Sequence, residues 1–186
     1  MIQIAAAGSR PALTLRPWTE DDLPALVKAH ADPEMRRWQL WHIDDEEQAR
    51  EWLANRQRQW AEGSRFGFAV VAAEDGAGDP IGGVSIRRDA KKPETAEVGY
   101  WTAAEARGQS VAPRAVGGAL AWAATIWADD PVDRINLIHT LGNDASCRVA
   151  LKLGFALAEE LPAYPPKFPE PGHLHVRRAA DTDTAG

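Results

Sequence analysis

Residues 101–122 read WTAAEARGQSVAPRAVGGALAW: a strand end, a short polar loop and the start of an alanine-rich helix with no charged cap. A loop that leaves a strand and enters a helix aims unpaired backbone N–H groups, with the positive end of the helix dipole, at one point. Gly108, Ser110 and Ala112 are small enough to let a bulky phosphate reach that backbone, and Arg107 and Arg114 supply positive charge. Pro113, in the first helical turn, gives up an N–H that the helix would not use. A plain connection between strand and helix accounts for the same residues equally well. Neither a P-loop nor a G-x-G-x-x-G fingerprint is present, which disfavours ATP and NAD.

Outward from this loop the chain alternates between the two periodicities. Upstream, 12–18 (ALTLRPW) reads as a strand with Leu13 and Leu15 on one face, and 19–30 as a helix with Thr19 as cap and Leu23, Leu26 and Val27 at helical spacing. Asp44, with Glu47 three residues on, opens a second helix whose apolar stripe is Ala49, Trp52, Leu53 and Trp60, and Gly63 ends it. Runs 65–72, 80–88 and 95–101 form an antiparallel meander. Downstream come a helix over 112–128, a strand over 134–140, a helix over 143–153, and strands over 155–161 and 173–179. The expected fold is mixed α/β, a central and mostly antiparallel sheet flanked by about four helices.

The 186 residues, 45% of them apolar, suffice for one core. Residues 11–180 are expected to form a single domain, with 1–10 and the tail 181–186 mobile. A formal net charge of −6 argues against nucleic acid as partner, since such proteins present a basic patch to phosphates. The opening residues lack the basic start and apolar run of a signal peptide, no stretch approaches the roughly 20 apolar residues of a membrane span, and Cys147 is the only cysteine. These features fit a soluble protein of the reducing cytoplasm.

Two motifs go beyond composition. ARGQSVA, 106–112, resembles the loop with which the GCN5-related N-acetyltransferases, the GNAT superfamily, wrap the pyrophosphate of acetyl-coenzyme A. NDASCRVALKLGF, 143–155, resembles that family's Asn-x-x-Ser helix ending in Gly-Phe. LRPWTEDDLPAL, EVGYW and HLHVRRA narrow the likeness to the branch that acetylates N-terminal alanines of ribosomal proteins. The resemblance spans about residues 12–180. It implies an acyl-CoA N-acyltransferase domain that moves an acetyl group directly to a primary amine, with acetyl-CoA as cosubstrate and no metal. The acceptor it implies is a protein N-terminus or a small amine such as an antibiotic or polyamine. A catalytically silent CoA-binding protein and a homodimer stay open.

Residue by residue, the resemblance implies that Tyr100, Trp101, Arg107, Gly108, Gln109, Ser110, Val111, Ala112, Asn143 and Ser146 hold the cofactor. Many family members have glycine at the place of Ser110; if that position needs φ > 0, serine is strained. Glu97, ten residues ahead of Arg107, stands near the family's general base, although a solvated strand glutamate or one paired with Arg87 explains it as well. The family's usual tyrosine seven residues after the asparagine is here Ala150, which leaves Ser146 as the donor to the departing thiolate. Asn143 and Ser146 are also ordinary helix N-terminal residues. Trp52, Trp60, Trp122 and Trp127 fall at core spacings, whereas Trp38, Trp41 and His42 border the expected acceptor pocket, with Tyr164 in a proline-rich loop on another wall. His173 and His175 share a strand face, but without a third ligand nearby in sequence they read as pocket residues rather than a metal pair.

Overall fold

The structure, a computed structural model, describes residues 1–73 and 75–178, so the expected tail at 181–186 lies outside the described residues. Eight strands form one sheet: β1 (Ile2–Ile4), β2 (Leu13–Pro17), β3 (Arg65–Val71), β4 (Gly82–Arg88), β5 (Thr95–Thr102), β6 (Arg134–Thr140), β7 (Ala156–Leu161) and β8 (Gly172–Arg178). Their spatial order is β1-β2-β3-β4-β5-β6-β8-β7, and every neighbouring pair is antiparallel except β5 with β6. Five helices accompany them: α1 (Leu23–His30), α2 (Pro33–Trp38), α3 (Glu46–Ala61), α4 (Val111–Ile126) and α5 (Asp144–Lys152). Among the described residues no helix is long and apolar enough to cross a membrane.

Two clusters fix the layers. Val111, Ala115, Val116, Ala119, Leu120 and Ala123 of α4 lie in one core with Leu13, Leu15, Phe68, Val84, Ile86 and Val98 from the sheet. The short side chains of α4 let it sit close to the strands. A second cluster joins Leu23, Leu26, Ala49 and Leu53 of α1 and α3 to Trp18 and Ala69. Trp60 and Trp122 pack edge-on against Phe68, as their spacing predicts.

Three local expectations need correction. Residues 2–4 form an edge strand, because Ile2 and Ile4 find apolar cover on α4, where a Cβ on Gly118 would come within 2.8 Å of Ile4 Cδ1. The stretch between the first two predicted helices contains α2, capped by Asp32, whose side chain accepts from the Met35 amide. The cap of α3 is Asp45, accepting from the Gln48 amide, one residue after the predicted Asp44. Asp44 instead receives Arg36 at 2.6 Å.

Candidate active site

The chain leaves β5 through a single 3-10 turn, Ala104–Ala106, and reaches α4 by two left-handed residues, Gly108 at φ 76° and Ser110 at φ 60°. Ser110 is the N-cap of α4, and its side chain makes no capping bond. Beside this loop runs a groove of about 520 Å³. Tyr100, Trp101, Arg107, Gly108, Ser110, Val111, Ala112, Asn143 and Ser146 all line it. Gln109 does not, since its amide turns back to donate to the Glu105 carbonyl. Arg114 is also directed elsewhere, donating to the carbonyls of Ala5 and Pro11. Its expected charge comes instead from Arg148 and Lys152 on α5, which the loop motif gave no reason to select. Arg107 binds Asp32, so loop and α2 are tied, and the guanidinium holds the Asp32 carboxyl below its usual range.

At the inner end of the groove the sheet opens. β5 and β6 pair from Thr95 with Arg134 to Val98 with Leu137, yet β5 continues to Thr102 and β6 to Thr140. Backbone groups along the diverging halves therefore face a gap instead of a ladder. Tyr100 from β5 and Ser146 from α5 meet across it, the phenol donating to Ser146 Oγ at 3.0 Å. Asn143 caps α5 as predicted, its Oδ1 accepting from the Ser146 amide at 3.1 Å. Burial pushes the Tyr100 phenol up to about 12, against the bond to Ser146, which lowers it. The phenol keeps its proton at neutral pH, and the Ser146 hydroxyl proton is left to point elsewhere.

Beyond that gap lies a second cavity of about 450 Å³, which Trp38, Tyr100, Trp101, Asn143 and Ser146 share with the groove. Its aromatic walls include Trp18, Trp41 and Trp52, with Trp18 edge-on to Trp52 at 5.2 Å. Trp52 is thus both packed and exposed to the cavity, because the inward face of α3 ends at the cavity rim. Gly83, opposite Trp101, leaves room for the indole: a Cβ there would sit 2.6 Å from Trp101 Nε1. Glu97 lines this cavity, and Arg87, directly across the ladder, binds both its carboxylate oxygens at 2.9–3.2 Å. Any proton acceptor role for Glu97 shares those oxygens with the guanidinium.

Arg56 and Arg65 also line the cavity, and neither has an ion-pair partner among the described residues. Burial, then repulsion from Arg56 and Arg87, brings Arg65 down to about 10. With Lys167, the walls carry four cationic side chains and one carboxylate. The acidic overall charge does not extend to this cavity. His42 and Tyr164 line an adjoining hollow of about 620 Å³ under the proline-rich loop, which shares Trp38, Leu40, His139, Lys167 and Phe168 with the cavity that Trp41 borders. The histidine pair of the last strand also gains what sequence distance hid: His139 and Cys147 join His173 and His175 in one cluster.

The model of the acetyltransferase (GNAT) domain family matches residues 12–156. The chain belongs to the GNAT acetyltransferase family. It is accordingly an N-acetyltransferase, transferring an acetyl group to an amine. None of the curated proteins compared with the sequence matches it significantly. Among solved structures, the fold is similar to RimL, a ribosomal L7/L12 alpha-N-protein acetyltransferase in complex with coenzyme A (TM-score 0.75, 17% identity, 94% of this chain and 97% of that one). It is also similar to Mycobacterium smegmatis RimJ in complex with CoA-disulfide (0.76, 18%, 92% and 84%). A third is MccE, the microcin C7 self-immunity acetyltransferase, in complex with acetyl-CoA and AMP (0.74, 14%, 94% and 99%). In this GNAT protein the groove at the α4 N-terminus and the aromatic cavity communicate through Tyr100 and Ser146.

Proposed function

We propose that the protein is an acetyl-CoA-dependent enzyme acting on a protein N-terminal α-amine that is followed by negative charge. The observation that carries the reading is the meeting of two chemically different cavities at Tyr100, Asn143 and Ser146: a basic groove at a helix N-terminus and a cationic, tryptophan-walled chamber. The free amides of the α4 N-terminus, with Arg107, Arg148 and Lys152, hold the phosphates of acetyl-CoA, and the open edge of β5 guides the pantetheine inward. The cytoplasm supplies that cosubstrate.

The amine reacts neutral. Glu97, through a water, takes the proton of the ammonium; the nitrogen attacks the thioester carbon, forming the C–N bond, and the C–S bond breaks with its electron pair leaving on sulfur. One of the two protons still on nitrogen passes to solvent, and the amide product keeps the other. Ser146, oriented by Tyr100, hydrogen-bonds the departing thiolate. A phenol near 12 is a weaker acid than a thiol at about 8.5, so the pair stabilises the thiolate without surrendering a proton to it.

Arg56 and Arg65 repel a polycation and attract an acceptor with a carboxylate close to its amine, which argues against polyamines. A second reading, a small amine attached to an aromatic anion, is favoured by the tryptophan walls, and MccE holds AMP. Thiol release from acetyl-CoA distinguishes them. Peptides starting Ala or Ser and continuing with Asp or Glu are expected to exceed Lys-containing counterparts at least tenfold in kcat/KM, with Arg65→Ala erasing the preference. Faster turnover of spermidine-like amines would overturn the proposal, and acetyl-CoA binding with no turnover of any amine would mark a silent CoA-binding protein.

A further inference from the structure

We propose that His139, Cys147, His173 and His175 form a tetrahedral zinc site that pins α5 to the β6–β8 pair. The register of that pair sets His139 opposite His173 and Leu137 opposite His175. The three imidazoles therefore share one face, and α5 brings the thiol onto it.

The donor atoms lie within 4.8 Å of one another, with Cys147 Sγ 3.4 Å from His175 Nε2 and 3.9 Å from His173 Nδ1. Zinc bonds of about 2.0–2.1 Å to nitrogen and 2.3 Å to sulfur give tetrahedral edges of roughly 3.4–3.6 Å, so the cluster needs only a modest contraction.

The outer contacts point the same way. His139 Nδ1 lies 2.9 Å from the Thr140 carbonyl, which can only accept; the ring proton is there, and Nε2 presents a lone pair. That Nε2 is buried with no partner, and the fully buried His175 turns its Nε2 to the sulfur at 3.4 Å. His173 turns Nδ1 toward the sulfur and leaves Nε2 on the side of Glu160, 3.9 Å away. The buried His139 Nε2 lone pair is left without a donor, and a cation shared with the other three side chains removes that penalty.

Nitrogen and sulfur donors in this number select zinc over magnesium or calcium. Binding releases the Cys147 thiol proton, forms one sulfur–metal and three nitrogen–metal bonds, and changes no oxidation state. Four protein donors leave no open position, so the role is structural. Cys147, His173 and His175 line none of the three cavities, but Cys147 follows Ser146 directly, so the ion would fix the turn that carries the thiolate-binding hydroxyl.

The test is titration of the metal-stripped full-length protein with Zn²⁺ against a chromophoric chelator, and with Co²⁺ followed by visible and near-ultraviolet absorption. One equivalent is expected. Cobalt should give intense tetrahedral bands with thiolate charge transfer, and zinc should raise Tm. Cys147→Ser should lose the charge-transfer band and bind zinc at least tenfold more weakly, and His139→Asn should weaken zinc similarly from the opposite element. Wild-type protein needs no mutation for the cobalt spectrum, so a variant that misfolds leaves that measurement decisive. Substoichiometric binding, a cobalt spectrum without thiolate character, or undiminished zinc binding by a folded Cys147→Ser protein would each overturn the site.

Discussion

Ser110 is the single non-glycine residue at positive φ among the described residues, and it stands where the loop after β5 turns into α4. A left-handed serine costs about 1 kcal/mol relative to glycine, and no capping bond offsets it. Ser110→Gly is therefore expected to raise stability by about that amount, and calorimetry to find acetyl-CoA bound equally or more tightly, by up to about fivefold. Weaker binding would mean that the hydroxyl itself holds a phosphate oxygen. Tyr100→Phe removes the donor to Ser146 while keeping the ring, so kcat should fall about tenfold or more with the acetyl-CoA Kd little changed. His30 is a different case. Burial first, then His42 and Arg36, lowers it to about 4, against an opposing effect of Asp44. Its folded value lies below the unfolded one, so stability is full above about pH 6.5 and is lost as pH falls toward 4, by no more than about 3 kcal/mol. Thermal melts at stepped pH should show that loss, and His30→Leu should flatten it.

At the scale of elements, β1 and the divergence of β5 from β6 matter most. Periodicity could not find β1, since three residues carry too little pattern and their apolar partner, α4, lies more than a hundred positions away. Ile2 and Ile4 are half-buried on the main core, and Arg114 anchors the following segment through the Ala5 carbonyl. Deleting residues 1–9 should cost about 2 kcal/mol, a drop in Tm of roughly 4–8 °C that calorimetry can read. An unchanged Tm would mean that the strand is an ornament of the edge. The divergence itself was legible only as a loop after a strand.

For the whole molecule, net charge and site charge have opposite signs. The formal charge is −6, while Arg56, Arg65, Arg87 and Lys167 line the tryptophan-walled cavity with only Glu97 among them. Raising ionic strength from about 0.05 to 0.5 M shortens the Debye length from more than 10 Å to less than 5 Å. KM for an acidic acceptor should then rise severalfold while kcat holds; an unchanged KM would show that the arginines do not recognise charge. The sequence by itself determined the order of the elements other than β1 and α2, the small-residue turn into α4 and the capped Asn-x-x-Ser helix, because local periodicity, glycine spacing and end-capping act within a few residues of each other. Only the tertiary structure decided which charges line the tryptophan-walled cavity, that Arg148 and Lys152 replace Arg114 in the groove, and that Tyr100 meets Ser146. It alone brought His139 and Cys147 to His173 and His175. These depend on strand register and helix docking, which join residues far apart in the chain through burial that no local pattern encodes.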